Sequence, residues 1–161
     1  MKAIVCTKSG SPEILQLKDV QRPNPGDKEL LVKVAAATVT RGDVILCKMH
    51  PLLALPLGIF GVKRQKIPGV EFSGEVIAVG RDVKQFTVGD KVFGTTTGLR
   101  YGANAEYVCV PELGQQGVLA PMPTNATYEE AAALSVGGMT ALFLLNKGNI
   151  KPGDKVLVYG A

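Results

Sequence analysis

The stretch "VEFSGEVIAVG", residues 70–80, decides the fold class of this chain of 161 residues. Its β-branched content and the alternation of polar and apolar residues in "GEVIAV" predict a strand with one buried face. The sequence predicts four more short strands, each bounded by turn residues, in the segments 2–6, 29–37, 91–94 and 104–110. We therefore predict that the first 110 residues are mainly β.

A Gly-Asp-Lys tripeptide leads into a predicted strand three times, at residues 26–28, 89–91 and 153–155. Glycine supplies the positive φ of such a turn, and aspartate can cap its backbone amides. The chain also has 19 glycines and ten prolines, which indicate a turn-rich β architecture rather than a helical bundle. We predict a compact antiparallel barrel that leaves few strand edges unpaired.

Two longer helices are predicted after this β region. Thr127 and Glu130 have the spacing of a capping box at the start of "NATYEEAAAL", residues 125–134. A second helix is predicted over "GGMTALFLLNKG", residues 137–148, and its apolar residues on most sides predict that it is largely buried. The final run "KPGDKVLVYGA", residues 151–161, predicts a strand buried on both faces, as in a parallel sheet.

Composition and charge exclude several classes of protein. The net charge is +4, and no basic run is longer than "KRQK" at residues 63–66, so we expect no nucleic-acid partner. No apolar stretch approaches the roughly 20 residues that cross a bilayer, so we expect no membrane partner. Cys6, Cys47 and Cys109 are widely spaced and form no CxxC pair, which favours a reducing cytoplasm.

Five segments, in this order, resemble the medium-chain dehydrogenases/reductases, and more narrowly their zinc-free quinone oxidoreductase branch. The resemblance covers essentially the whole chain. The segments are "IPGVEFSGEVIAVG" (67–80), "FTVGDKVFG" (86–94), "NAEYVCVPE" (104–112), "EEAAALSVGGMTAL" (129–142) and "IKPGDKVLVYGA" (150–161).

This resemblance implies the domain organisation. It implies a GroES-like antiparallel β-barrel over residues 1–126, connecting helices over 127–149, and the first strand of a Rossmann cofactor domain over 150–161. In that family the first Rossmann strand runs into a glycine-rich loop, whose backbone amides approach the cofactor pyrophosphate. Because the sequence stops before the remaining glycines, we expect a truncated chain, natural or engineered, that lacks most of its cofactor domain.

The residues at the family's metal positions predict no zinc site. Thr40 stands where zinc-dependent relatives have a cysteine, Val70 where they have a histidine, and Val136 near the third ligand. Glu71 alone matches, whereas a catalytic zinc needs about three protein ligands. The four cysteines of a structural zinc lobe are also missing. His50, the single histidine of the sequence, would be a lone ligand.

Without a metal, the resemblance implies reduction of a quinone or an α,β-unsaturated carbonyl. Such substrates accept hydride readily because the negative charge is delocalised onto an oxygen, which a hydrogen-bond donor or solvent then protonates. The implied cofactor is NADP(H), with NAD left open, and the implied state of the full-length protein is a homodimer. The 161-residue chain by itself is expected to be inactive.

Three other functions remain open at this point. A non-catalytic binding or structural protein can be built on the same fold, since fold does not determine function. A carbonyl reductase resembling a zinc-free alcohol dehydrogenase is a second alternative. A GroES-like co-chaperonin shares the barrel but offers no reason for "IKPGDKVLVYGA".

The candidate cofactor residues follow from the resemblance. Thr40 and Arg41 lie in the loop that faces the nicotinamide and the cofactor phosphates, where the planar fork of arginine suits phosphate oxygens. The alternative for Arg41 is a surface arginine beside a helix cap. Thr140 resembles the threonine on the nicotinamide side of the cleft, unless it bonds back to its own helix. Gly160 begins the expected cofactor loop.

The candidate catalytic residues are Asp43 and Tyr101. Asp43 either orients the substrate or caps the short helix that follows it. Tyr101, in a loop flanked by glycines, is a candidate proton donor, with plain packing as its alternative. The apolar segment 48–66 either walls a substrate pocket or packs against a partner or the missing domain.

Overall fold

The computed structural model of this protein describes residues 1–6, 11–48, 67–96, 102–114 and 118–159. In these residues there are seven strands, one 3-10 turn and three helices. The strands are β1 (Lys2–Val5), β2 (Gln16–Asp19), β3 (Glu29–Ala37), β4 (Glu71–Val79), β5 (Lys91–Thr95), β6 (Tyr107–Pro111) and β7 (Val118–Pro121). The 3-10 turn is Pro12–Ile14, and the helices are α1 (Arg41–Lys48), α2 (Tyr128–Leu134) and α3 (Val136–Gly148).

Five strands form one antiparallel sheet in the order β6-β3-β4-β5-β7. The sheet curls around a core formed by its inner face, and β6 approaches β7 without pairing with it. The architecture is therefore a curled antiparallel half-barrel, and the predicted mainly β fold, built on an antiparallel barrel sheet, is confirmed. The fully buried core side chains of this sheet are Leu30, Val32, Phe72, Val76, Val92 and Val110.

Strands β1 and β2 form a separate antiparallel ribbon, with Lys2 opposite Asp19. The segment just before β6 joins this ribbon to the sheet. The N–H of Ile4 donates to the carbonyl of Asn104 over 2.9 Å, and the N–H of Glu106 donates to the carbonyl of Lys2 over 3.0 Å. These two hydrogen bonds hold the ribbon beside the half-barrel.

The predicted strands are confirmed as β1, β3, β4, β5 and β6. Two of the three Gly-Asp-Lys turns also form as predicted: Gly89 and Gly153 have φ of 97° and 93°. Asp90 accepts from the N–H of Thr87 over 2.7 Å. In the third turn, Asp154 accepts from the N–H of Lys151 over 2.8 Å. In the first turn Glu29 supplies the acceptor instead, because its carboxylate takes the N–H of Gly26.

Helix α2 begins at the predicted capping box. The Thr127 hydroxyl accepts from the N–H of Glu130 over 3.2 Å, and the Glu130 carboxylate accepts from the N–H of Thr127 over 2.8 Å. Ala131 and Ala132, on the face of α2 toward the sheet, are buried against β3 and β4. The methyl side chains let the helix approach the strands closely.

The predicted burial of the last helix and strand was wrong. Helix α3 packs against α2, but it has no buried residue, and Leu142 and Phe143 are more than half exposed. Residues 155–159 form no strand, and Tyr159 is 97% exposed. An apolar run becomes a buried strand only when neighbouring strands and helices satisfy its backbone and cover its faces, and the described residues supply no such neighbours here.

No helix within the described ranges combines the length and the apolar character that crossing a membrane requires.

Replacing Thr127 with alanine is expected to lower the free energy of unfolding by about 1 kcal/mol, because the N–H of Glu130 loses its acceptor. Urea unfolding followed by circular dichroism measures this change. Thr124→Ala removes another exposed threonine hydroxyl outside the helix and is expected to stay within about 0.5 kcal/mol of the parent. Equal losses in the two variants would contradict the capping role.

Candidate functional site

The loop between β3 and α1 ends in a capping box built from Thr40 and Asp43. The backbone N–H and the hydroxyl of Thr40 donate to Oδ2 of Asp43 over 2.7 and 2.8 Å, and the N–H of Asp43 faces the Thr40 hydroxyl at 3.4 Å. Asp43 is 5% exposed. Its contacts in the structure are thus those of a helix cap, one of its two predicted roles, while a role toward substrate stays a prediction.

Thr40 and Arg41 differ in what they offer to a ligand. The Thr40 hydroxyl is half-buried and already donates its proton to Asp43. Arg41 is the first residue of α1, and it is exposed. A guanidinium beside the positive end of a helix presents donors and positive charge to an anion in solution. Arg41 therefore has the chemistry that an anionic group requires, and its role at a cofactor phosphate stays a prediction.

The other predicted residues lie farther along the chain. Thr140 is exposed on α3, one turn after Val136, at the start of the helix. Tyr101, Gly160 and His50 lie outside the described residues, as does the predicted pocket segment beyond Lys48. Their predicted roles stay predictions.

The buried carboxylate of Glu71, for which no role was predicted, connects the loop before α1 to the start of α3. Glu71, at the start of β4, is 3% exposed. Its Oε2 accepts the hydroxyl of Thr38, two residues before Thr40, and its Oε1 accepts the N–H of Val136 over 2.8 Å. The signal in the sequence was a charged residue inside a predicted strand, which indicates either an exposed face or a buried polar contact.

Ser73 repeats this arrangement two residues later. Alternation along β4 places Glu71 and Ser73 on one face and Phe72 on the other, in the core. The Ser73 hydroxyl is fully buried and donates to the carbonyl of Tyr128 over 2.6 Å, in the first turn of α2. Through these buried polar side chains, the outer face of β4 thus holds the first turns of α2 and α3.

An apolar cavity of about 580 Å³ lies between the β1–β2 ribbon, β3 and α1. Leu17 of the ribbon, Val34 of β3 and Cys47 of α1 contribute to its walls, and Val39 and Asp43 line it beside Thr40. A volume of this size holds a small organic molecule. The described residues that line this cavity belong to other elements, and the pocket wall predicted in the segment 48–66 stays a prediction.

The described residues contain no group of three or more histidine, cysteine, aspartate or glutamate side chains that could hold a metal ion. Glu71, the residue that matches a ligand position of zinc-dependent proteins, uses both carboxylate oxygens in hydrogen bonds. Thr40 and Val70 offer neither the thiolate nor the imidazole that zinc prefers.

Known proteins match this chain in sequence and in structure. The family model described as the alcohol dehydrogenase GroES-like domain matches residues 26–124. The quinone oxidoreductase of the pig, Sus scrofa, is 34% identical over 167 aligned residues, which cover 100% of this chain and 46% of that protein. This chain spans about half the length of the curated relatives that it matches.

Solved structures give the same result. The quinone oxidoreductase of Coxiella burnetii superposes with a TM-score of 0.80 at 32% identity, over 96% of this chain and 47% of that one. The quinone oxidoreductase of Escherichia coli, solved in complex with NADPH, superposes with a TM-score of 0.78 at 26% identity, over 96% of this chain and 43% of that one.

Proposed function

This chain belongs to the alcohol dehydrogenase GroES-like domain family, within the medium-chain dehydrogenase/reductase superfamily, and from this premise we propose that it is part of a nicotinamide-dependent quinone oxidoreductase. The observation that carries the proposal is the similarity, along the whole chain, to quinone oxidoreductases in both sequence and fold. The proposed substrates are quinones and α,β-unsaturated carbonyls, and the proposed cofactor is NADP(H). The proposal includes a homodimer in a reducing cytoplasm.

The described residues fit a nicotinamide cofactor in part. When bound, the cofactor supplies the hydride. Arg41 would hold its phosphate oxygens, because the exposed guanidinium stands beside the amide end of α1. Thr140, exposed near the start of α3, would contact its nicotinamide end, and Gly160 would belong to its phosphate loop. Thr40 serves this site mainly by fixing the first turn of α1 through Asp43.

Substrate binding and proton supply complete the proposal. The apolar walls of the cavity beside Thr40 and Asp43 suit the flat ring of a quinone. We assign the proton donor to Tyr101 or to solvent. Because hydride addition to a quinone leaves the charge on an oxygen, a hydrogen-bond donor is enough to stabilise it, and the proposed reaction needs no zinc.

The test measures NADPH oxidation by the complete polypeptide that carries this chain, with phenanthrenequinone and with an enone. We expect quinone-dependent turnover that survives treatment with a chelator, and no turnover by the 161-residue chain by itself. Arg41→Ala is expected to raise the KM for NADPH about tenfold, because a charge-assisted bond to phosphate is lost.

Arg81→Ala is the matched control, since Arg81 is an exposed arginine whose partner, Asp27, is also on the surface. It is expected to leave the KM for NADPH unchanged. No turnover with any quinone or enone would reject the proposed function and favour a binding protein on the same fold. Loss of activity on removal of a stoichiometric zinc ion would reject the zinc-independent mechanism.

A further inference from the structure

Glu71 contacts the two chain segments that carry the candidate cofactor residues. One carboxylate oxygen accepts the Thr38 hydroxyl, in the loop that leads to Thr40 and Arg41. The other accepts the N–H of Val136 over 2.8 Å, one helical turn before Thr140. A single side chain therefore joins the loop before α1 to the first turn of α3.

The environment makes this connection strong. Glu71 is 3% exposed, so its carboxylate has little contact with water and depends on these two donors. Hydrogen bonds to a charged acceptor are stronger than those between neutral groups. Val136 is the first residue of a helix of 13 residues, where unpaired N–H groups and the helix dipole favour a negative charge.

A second backbone contact holds the same loop. The N–H of Thr38 donates to the carbonyl of Glu71 over 3.3 Å, so Thr38 meets Glu71 through both its backbone and its side chain. The loop before α1 is therefore fixed to the start of β4 at Thr38. Ser73, by contrast, donates to the carbonyl of Tyr128 in α2, so the two buried side chains of β4 hold different helices.

We propose that Glu71 is a positioning residue, which sets the first turn of α3 and the loop before α1 at a defined separation so that Arg41 and Thr140 face one cofactor. This inference rests on the proposed function. Its structural part, that Glu71 holds the two segments together, does not depend on any activity.

The structural part is tested by amide hydrogen exchange on the 161-residue chain. Glu71→Ala is expected to speed exchange about tenfold at the N–H of Val136, because the carboxylate acceptor is lost. Glu71→Gln is expected to exchange like the parent, since an amide oxygen can accept from Val136 while its NH2 group donates to Thr38. Unchanged exchange at Val136 in Glu71→Ala would overturn the proposal.

The functional part is tested by kinetics and NADPH titration of the complete polypeptide, well below its Tm. Glu71→Ala is expected to raise the Kd and the KM for NADPH about tenfold, with a smaller change in kcat. Glu71→Gln is expected to restore both values. Thr38→Val, which removes only the hydroxyl, is expected to raise them about threefold and keeps the test decisive if Glu71→Ala does not fold.

Glu75→Ala is the matched control, because Glu75 lies on the same strand and is exposed. It is expected to leave NADPH binding unchanged. A parent protein that neither binds nor oxidises NADPH would reject the proposed function. A parent that does so, with a Glu71→Ala or Thr38→Val variant of lower Tm but unchanged Kd for NADPH, would reject the positioning role alone.

Discussion

Phe72→Ala is expected to lower the free energy of unfolding by about 3–5 kcal/mol. Phe72 is fully buried and lies on the inner face of β4, in the core of the half-barrel. The substitution removes a large apolar side chain from the core and leaves a cavity. Because strands from the sheet's centre surround it, the structure can close that cavity only in part.

Urea unfolding measures this loss, and Phe93→Ala is its matched control. Phe93 lies on the neighbouring strand β5 and is only partly buried, so the same change is expected to cost clearly less. If the two variants lost equal stability, the inner face of the sheet would not be the principal core.

Gly74→Ala is expected to lower the free energy of unfolding by about 3 kcal/mol. A Cβ at Gly74 would overlap the backbone carbonyl of Lys33 and lie 2.9 Å from Cγ1 of Val32, both on the neighbouring strand β3. Backbone atoms cannot turn aside as a flexible side chain can. Relief of the overlap therefore requires β3 and β4 to move apart at the centre of the sheet.

Gly137→Ala provides the contrast for the same substitution. Gly137 is exposed in α3, and a Cβ there meets no atom within 4 Å. Because alanine favours a helix over glycine, this variant is expected to gain up to about 1 kcal/mol in the free energy of unfolding. Thermal and urea unfolding of both variants check the pair, and a Gly74→Ala variant as stable as the parent would contradict the close contact of β3 and β4.

The local parts of the fold could be predicted from the sequence. Alternation in "GEVIAV" predicted β4, and the spacing of Thr127 and Glu130 predicted the start of α2. Turn chemistry at Gly89 and Gly153 was predicted in the same way. Each of these features depends on residues within a few positions of one another, so the sequence contains their full physical cause. Strand β2 was not predicted, because its four residues are all exposed and show no alternation of buried and exposed side chains.

The family was also predicted from the order of the motifs, and it is confirmed. The cofactor positions that the resemblance implies stay predictions. The burial of α3 was not accessible in this way. An apolar helix predicts that another surface covers it. The residues of the helix do not show which part of the protein supplies that surface. In the described residues, Leu142 and Phe143 remain exposed beside α2.

Periodicity, caps and turns therefore follow from the sequence alone, because they arise from contacts between near neighbours in the chain. The role of Glu71 is decided only by the folded protein. Its partners, Thr38 and Val136, lie 33 and 65 positions away in sequence, and no local pattern connects them. The curl of the sheet and the packing of α2 bring these three residues together. A charged residue in a strand thereby becomes the buried connection between the two halves of the candidate site.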